Sequence, residues 1–244
     1  MPSYGGVSRV DSWLRTSRLM EHSHSIIEAH TCGLCLQQEA RLLHRNRHRP
    51  NAGRLFVKCA HCGLIQVPEA HRVSSAAEKA EYDLHQNDPE DPGYRKFLQR
   101  FIVPLAAQLD KAQSGLDFGC GPGPALSSML SQLGYPCADY DLFYANDPAR
   151  LQAQYDFITA TEVFEHLAHP ANVLDTLLTC LKSGGVLAVM MQRPDEQPDF
   201  TNWGYIKDPT HISFYTNQAL SFLADRWLLT QVYRDRNVLI WRKR

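Results

Sequence analysis

Four cysteines, three alternating glycines and a Glu-Glu-His set are the residues of this chain whose types and spacings could do chemistry. Cys32 and Cys35 make one C-x2-C pair, and Cys59 and Cys62 make a second, with Gly63 directly after it. Two such pairs brought together supply four thiolates for a tetrahedral structural zinc ion, and the trailing glycine suits a knuckle turn. The flanking stretches RLFVK and GLIQV read as the hairpin of a zinc ribbon, with His61 exposed inside the second knuckle rather than ligating. Between the pairs runs RLLHRNRHRPNAGR, where Arg41, Arg45, Arg47, Arg49 and Arg54 stand without an acid. That stretch is either a solvated loop or a phosphate-contacting finger for RNA. It holds no aromatic residue on which bases could stack. The isolated Cys120, Cys137 and Cys180 read as inert core thiols.

The second set lies in LDFGCGPGPALSSML, residues 116–130, where Gly119, Gly121 and Gly123 separate a strand pattern from a helical one. Absent side chains let a ligand approach the backbone, and the helix start offers unpaired N–H groups. A tight strand-to-helix turn needs one glycine; three point to a ligand. The third comes only two residues after the second, unlike the G-x-G-x-x-G of dinucleotide sites, and no Gly-Lys-Ser/Thr follows for a polyphosphate. The expected ligand is a nucleoside without a polyphosphate.

The third set is ambiguous by pattern. Thr159 and Glu162 fit a capping box, with Ile158 and Val163 in the staple positions. Alternatively, Glu162, Glu165 and His166, at i, i+3 and i+4, share one helical face at the carboxyl end of a parallel strand, where such sheets bind ligands. Downstream, QRPDEQPDFTNWGYIKDPTHISFYT carries His211, which can take a proton near neutral pH or make a structural hydrogen bond at the next helix start. Trp203, Tyr205, Phe214 and Tyr215 could wall an acceptor pocket or cover the sheet edge.

The elements that must position these groups follow from periodicity. Residues 1–30 read as a partly disordered leader, 31–71 as the zinc-ribbon-like module and 72–112 as a helical linker region. From 115 onward strand and helix patterns alternate, which implies βαβ units and a parallel sheet. Strands are expected at 115–118, 137–140, 155–160 and 186–191, and a terminal strand pair at 228–233 and 238–241. Helices are expected at 124–133, 171–181 and 217–225, with Gly184 as a left-handed stop after the second.

Composition narrows the classes. With 244 residues, 44% hydrophobic and 21% charged, the chain is an ordinary globular protein with room for one domain and a small module. A formal net charge of −1 gives no global pull toward nucleic acid or an anionic membrane. No apolar run approaches the roughly 18–20 residues of a membrane span, so no membrane partner is expected. Clustered cysteines without a secretory signal fit a cytoplasmic metal site better than disulfides.

The segments LDFGCGPGP, CADYDLF, YDFITATEVFEHLAHP and LKSGGVLAVMM, in that order across about residues 115–192, resemble the class I S-adenosylmethionine-dependent methyltransferases. The resemblance implies an α/β, Rossmann-like, mostly parallel sheet with helices on both faces over 113–244, and S-adenosylmethionine as cofactor. It places Asp117, Phe118, Gly119, Cys120, Gly121 and Gly123 around the methionine moiety and ribose. Asp141 would hold the ribose hydroxyls, with Asp139 the alternative, and Thr161 and Glu162 would add contacts. EVFEH resembles the E-V-x-E-H loop of the ubiquinone-pathway O-methyltransferases, and DPTHISFY a corresponding stretch in their relatives. On that likeness His211 is the preferred base, His166 the second, and Glu165 acts beside them. One departure stands out: only thirteen residues separate Asp141 from Tyr155, so the third strand is a stub near 149–151 or is missing. The expected activity is methylation of a small-molecule oxygen. The alternatives are an RNA methyltransferase that holds substrate on the basic zinc module, or a non-catalytic module that binds the cofactor.

Overall fold

The computed structural model describes residues 30–47, 51–84 and 88–244. The expected leader, apart from residue 30, and Arg49 therefore lie outside the described residues. At the N-terminal end β1 (Ala40–Arg45) pairs antiparallel with β2 (Leu55–Cys59), which pairs with β3 (Ile65–Gln66). The arginine-rich stretch thus begins as strand: Arg41 and Arg45 sit exposed on β1.

Two helices link this module to the sheet. Ser74 caps α1 (Ser75–Tyr82) by accepting from the Ala77 N–H, and Asp91 caps α2 (Pro92–Ala106) by accepting from the Tyr94 N–H at 2.6 Å. Proline at the first turn of α2 forfeits only an N–H that has no helical partner. Whereas α1 buries no side chain, α2 buries Leu98, Phe101, Ile102 and Leu105.

The alternating region follows its predicted pattern closely. In chain order it runs β4 (Gly115–Phe118), α3 (Ala125–Gln132), β5 (Cys137–Tyr140), β6 (Tyr155–Thr161), α4 (Pro170–Cys180) and β7 (Leu181–Met190). Then come β8 (Ser213–Phe214), α5 (Asn217–Arg226), β9 (Leu229–Arg234) and β10 (Val238–Lys243). The large sheet has the order β5-β4-β6-β7-β10-β9, parallel from β5 to β7, with β10 antiparallel to both neighbours. Alternation along β7 builds both faces: Val186, Ala188 and Met190 pack with α2 and α3, while Leu187 and Val189 pack with α4 and α5. The four cysteines join the second of these clusters, so the N-terminal module packs on the α4–α5 side.

Of the two readings open for the third-strand region, the missing strand is the one found: residues Pro148–Gln152 between β5 and β6 form a 3-10 turn, which leaves β5 at the sheet edge. Two other readings do not hold. Gly184 does not stop a helix: α4 ends at Cys180, and Gly184 (φ 73°) lies in a bulge of β7 opposite the Tyr155–Phe157 stretch. The capping box at Thr159–Glu162 does not form either. Thr159 is inside β6, and the 3-10 turn Phe164–His166 begins after Val163 without a side-chain cap. Among the described residues no helix is long and apolar enough to cross a membrane.

Candidate functional site: a glycine-lined cavity and a four-cysteine cluster

The cysteine pairs converge. Cys32 Sγ lies 3.5 Å from Cys62 Sγ, Cys35 Sγ lies 3.4 Å from Cys59 Sγ, and all four sulfurs fall within 4.8 Å of one another. Tetrahedral thiolates at about 2.3 Å from a zinc ion would stand about 3.8 Å apart, so the set fits that ion. All four side chains are buried. Their contacts split their acidities: the Cys59 thiol is driven far down by hydrogen bonds from Cys32 and Cys62, while Cys32 is pushed up to about 12 by Cys59. Four thiolates this close require a cation to ionise together. His61 is exposed and packs on Phe222, outside the cluster.

The glycine turn opens onto a cavity of about 760 Å3 at the carboxyl ends of β4 and β6, where open parallel sheets bind ligands. Asp117, Phe118, Gly119, Cys120, Gly121, Gly123, Asp141, Thr161 and Glu162 all line it, as do His166 and His211. Asp139 does not. Gly119 (φ 79°) has a structural reason as well: a Cβ there would meet Val163 Cγ2 at 2.4 Å. Gly121 donates its N–H to Asp141 Oδ2 at 3.0 Å, and the N–H groups of Phe143 and Tyr144 go to Asp141 Oδ1 at 2.8 and 3.1 Å. Asp141 therefore organises the loop as well as facing the cavity. Asp117 is 3% exposed. Burial lifts its carboxyl to about 7 against a 2.8 Å hydrogen bond from Thr159 Oγ1, with Asp139 and Asp141 adding to the lift.

Sequence reasoning missed one wall. Tyr82 from α1, Tyr94 and Phe97 from α2, and Phe143 after β5 line the cavity. Their aromatic spacing carried no signal separable from ordinary core packing. Of the two readings open for Trp203, Tyr205, Phe214 and Tyr215, the pocket wall does not hold: none of them is among the lining residues. The first three pack with Phe56 in a buried cluster behind the cavity, and Tyr215 lies in the core.

Glu162, Glu165, His166 and His211 do meet, though not on one helical face. Glu162 adopts a left-handed backbone (φ 53°), and its N–H bonds to Met190 O at 2.8 Å. Its Oε2 accepts from Tyr205 Oη at 3.2 Å, and Tyr205 also bonds Glu165 Oε1. Glu165 is fully buried behind the cavity wall, and its Oε2 has no hydrogen-bond partner among the described residues. Burial pushes both carboxyls up, Glu165 well above its ordinary range with the Glu162 charge adding to it.

Each histidine is oriented by a carbonyl. His166 Nδ1 is 3.1 Å from Thr210 O, and His211 Nδ1 is 2.8 Å from Tyr205 O. A carbonyl only accepts, so both Nδ1 atoms carry the proton and Nε2 is the basic nitrogen of each ring. His211 Nε2 stands 3.7 Å from Asp208 Oδ2. Asp208 titrates below its ordinary value despite its burial, because His211 and the Thr210 hydroxyl favour its anion. Glu165, His166 and His211 also bring three ligand atoms within 4.8 Å, a set with the donors to hold one cation.

Arg54 departs from the finger expectation. It is 5% exposed and donates to the carbonyls of Asp208, Pro209 and His211 at 2.7, 2.9 and 2.6 Å. Arg41, Arg45 and Arg47 are exposed.

Residues 92–226 match the family described as "Methyltransferase domain". Among solved structures, the chain is similar to magnesium protoporphyrin IX methyltransferase from Synechocystis, at 13% identity and a TM-score of 0.46, over 69% of this chain and 94% of that one. It is also similar to a SAM-dependent methyltransferase from Archaeoglobus fulgidus, at 13% identity and a TM-score of 0.49, over 61% and 94%. A third is an O-methyltransferase family protein from Burkholderia thailandensis, at 14% identity and a TM-score of 0.46, over 68% and 62%. No curated protein matches the chain.

Proposed function

From the premise that this chain belongs to the methyltransferase-domain family, we propose that it methylates a small-molecule hydroxyl and that a structural zinc ion sits on its four cysteines. The observation that carries this reading is that the glycine turn, His166 and His211 line one cavity. Its 760 Å3 falls within the roughly 300–1,000 Å3 of small-molecule sites. When bound, S-adenosylmethionine supplies a sulfonium methyl group whose in-line transfer to the acceptor oxygen releases a neutral thioether.

The protein's share is alignment and removal of one proton. Asp117, the glycine turn and Asp141 hold the cofactor. His211 Nε2 takes the proton of the acceptor hydroxyl, its tautomer set by Tyr205 O, and Asp208 steadies the imidazolium that results. His166 lies beside it, ring centroids 4.8 Å apart, as the second base. The buried orphan Oε2 of Glu165 favours a second reading of the same corner, in which Glu165, His166 and His211 hold a divalent cation that polarises the hydroxyl. The burial of Arg54 leaves the RNA alternative with fewer arginines to reach a phosphate.

The test supplies S-adenosylmethionine with a radioactive methyl group to the protein together with separate small-metabolite and RNA fractions. Label is expected in the metabolite fraction, lost in His211→Gln. Label that enters RNA and disappears on ribonuclease treatment overturns the small-molecule reading. If neither fraction is labelled while cofactor binds, the non-catalytic alternative stands.

A further inference from the structure

Arg54 is a buried guanidinium held by carbonyls, an arrangement that aromatic packing and strand pairing do not require. It closes the β1–β2 hairpin of the cysteine module, where Asn46 N–H bonds Arg54 O at 2.9 Å. Its side chain reaches across to three carbonyls of residues 208–211, the segment that carries Asp208 and His211. A planar fork of five donors suits three convergent carbonyls; an ammonium does not.

Gln66 makes the matching link. Its Oε1 accepts the N–H of Gly33, inside the first cysteine knuckle, at 2.7 Å. Its Nε2 donates to Ser213 Oγ at 3.0 Å and Ala168 O at 3.3 Å, and Ser213 Oγ donates to Leu167 O at 2.6 Å. The knuckle is also seated directly: Gly33 O accepts from Ala171 N–H at the start of α4, and a Cβ on Gly33 would lie 2.4 Å from Ala168 O. Pairing of β3 with β8, and Val67 N–H to Ile212 O at 2.9 Å, completes the seam.

We propose that the cysteine module is a jig for the methyl-transfer cavity, in which Arg54 positions the loop bearing Asp208 and His211 and Gln66 positions the turn bearing His166. This rests on the cavity reading above. Arg54 and Gln66 are positioning residues: neither lines the cavity. The metal centre then serves the reaction at a distance, by anchoring the strands from which both side chains reach.

The test compares Arg54→Met, which keeps the stem without the fork, with Arg54→Lys and Gln66→Leu in the full chain. Readouts are hydrogen exchange resolved along the chain, the imidazole carbon NMR signals of His166 and His211, and the calorimetric affinity for S-adenosylhomocysteine. Arg54→Met should speed exchange across 206–212 by about tenfold or more, as local release does, and move the His211 signal. Arg54→Lys should not restore either. Gln66→Leu should act instead on 165–169 and His166. Cofactor affinity should stay at the wild-type value in all three, because no cofactor residue is bonded to either side chain. Unchanged exchange and unmoved signals overturn the proposal, and so does uniform acceleration along the whole chain, which marks a general loss of stability. Failure of the wild type to bind S-adenosylhomocysteine would instead sink the cavity reading, with the exchange result still deciding the jig.

Discussion

Asp117 shows at the residue scale how burial and binding oppose each other. Its folded carboxyl titrates near 7, whereas an exposed aspartate titrates near 4. Between those values the folded protein keeps a proton that the unfolded chain has lost, so stability falls as pH rises from about 4 to about 7. Cofactor-free Asp117→Asn should therefore gain stability relative to wild type as pH increases through that window. Thermal melts at pH 5 and pH 8 check this; an identical difference at both would count against it. Asp141 makes a second prediction. With three backbone N–H groups on its carboxylate, Asp141→Ala frees the loop and removes the acceptor that the proposed cofactor placement assigns to the ribose. A loss of about 1–3 kcal/mol, roughly 5–150-fold in S-adenosylhomocysteine affinity, is expected. Calorimetry that finds the affinity intact refutes the placement.

At the scale of elements, the contact between β4 and β6 has no room for added volume. A Cβ on Gly115 would sit 2.1 Å from Phe157 Cε2, a ring wholly buried among α2, α3 and the sheet. Gly115→Ala should cost about 1–3 kcal/mol in a denaturant melt. Adding Phe157→Leu should recover part of that loss, because the two positions couple through one contact. A simply additive double variant would show that the strain lies elsewhere. The bulge at Gly184 belongs to the same scale. It lets α4 pass directly into β7 while the register of β6 against β7 is reset before Val186.

For the whole molecule, the question is what joins the cysteine module to the sheet. The core that holds α4 and α5 also contains all four cysteines, so metal and domain are expected to share one unfolding transition. Elemental analysis should return one zinc per chain, and chelation should lower the melting temperature of the entire protein, not of an isolated module. Metal-free protein with freely alkylated cysteines and an unchanged melt would refute this. The surface arginines separate the acceptor classes. Replacing Arg41, Arg45 and Arg47 by glutamine should leave small-molecule methylation intact; an RNA complex would instead lose affinity and salt dependence together.

What the sequence determined by itself was local. Knuckle spacing, the strand–glycine–helix turn and period-two alternation are written in near neighbours, so the cysteine set, the strand positions at 115–118 and 137–140 and the abbreviated third-strand region were legible. The histidines lie forty-five residues apart in the chain, and their side-by-side packing depends on β8 pairing with β3 and on Arg54 crossing to the 208–211 carbonyls. The left-handed turn at Glu162 replaced a plausible capping box because Thr159 is claimed by β6 and by Asp117. Arg54 looked like its exposed neighbours in a basic stretch. Only tertiary structure could separate it from them, because a buried guanidinium is recognised by the carbonyls that surround it, and those come from residues more than 150 positions away.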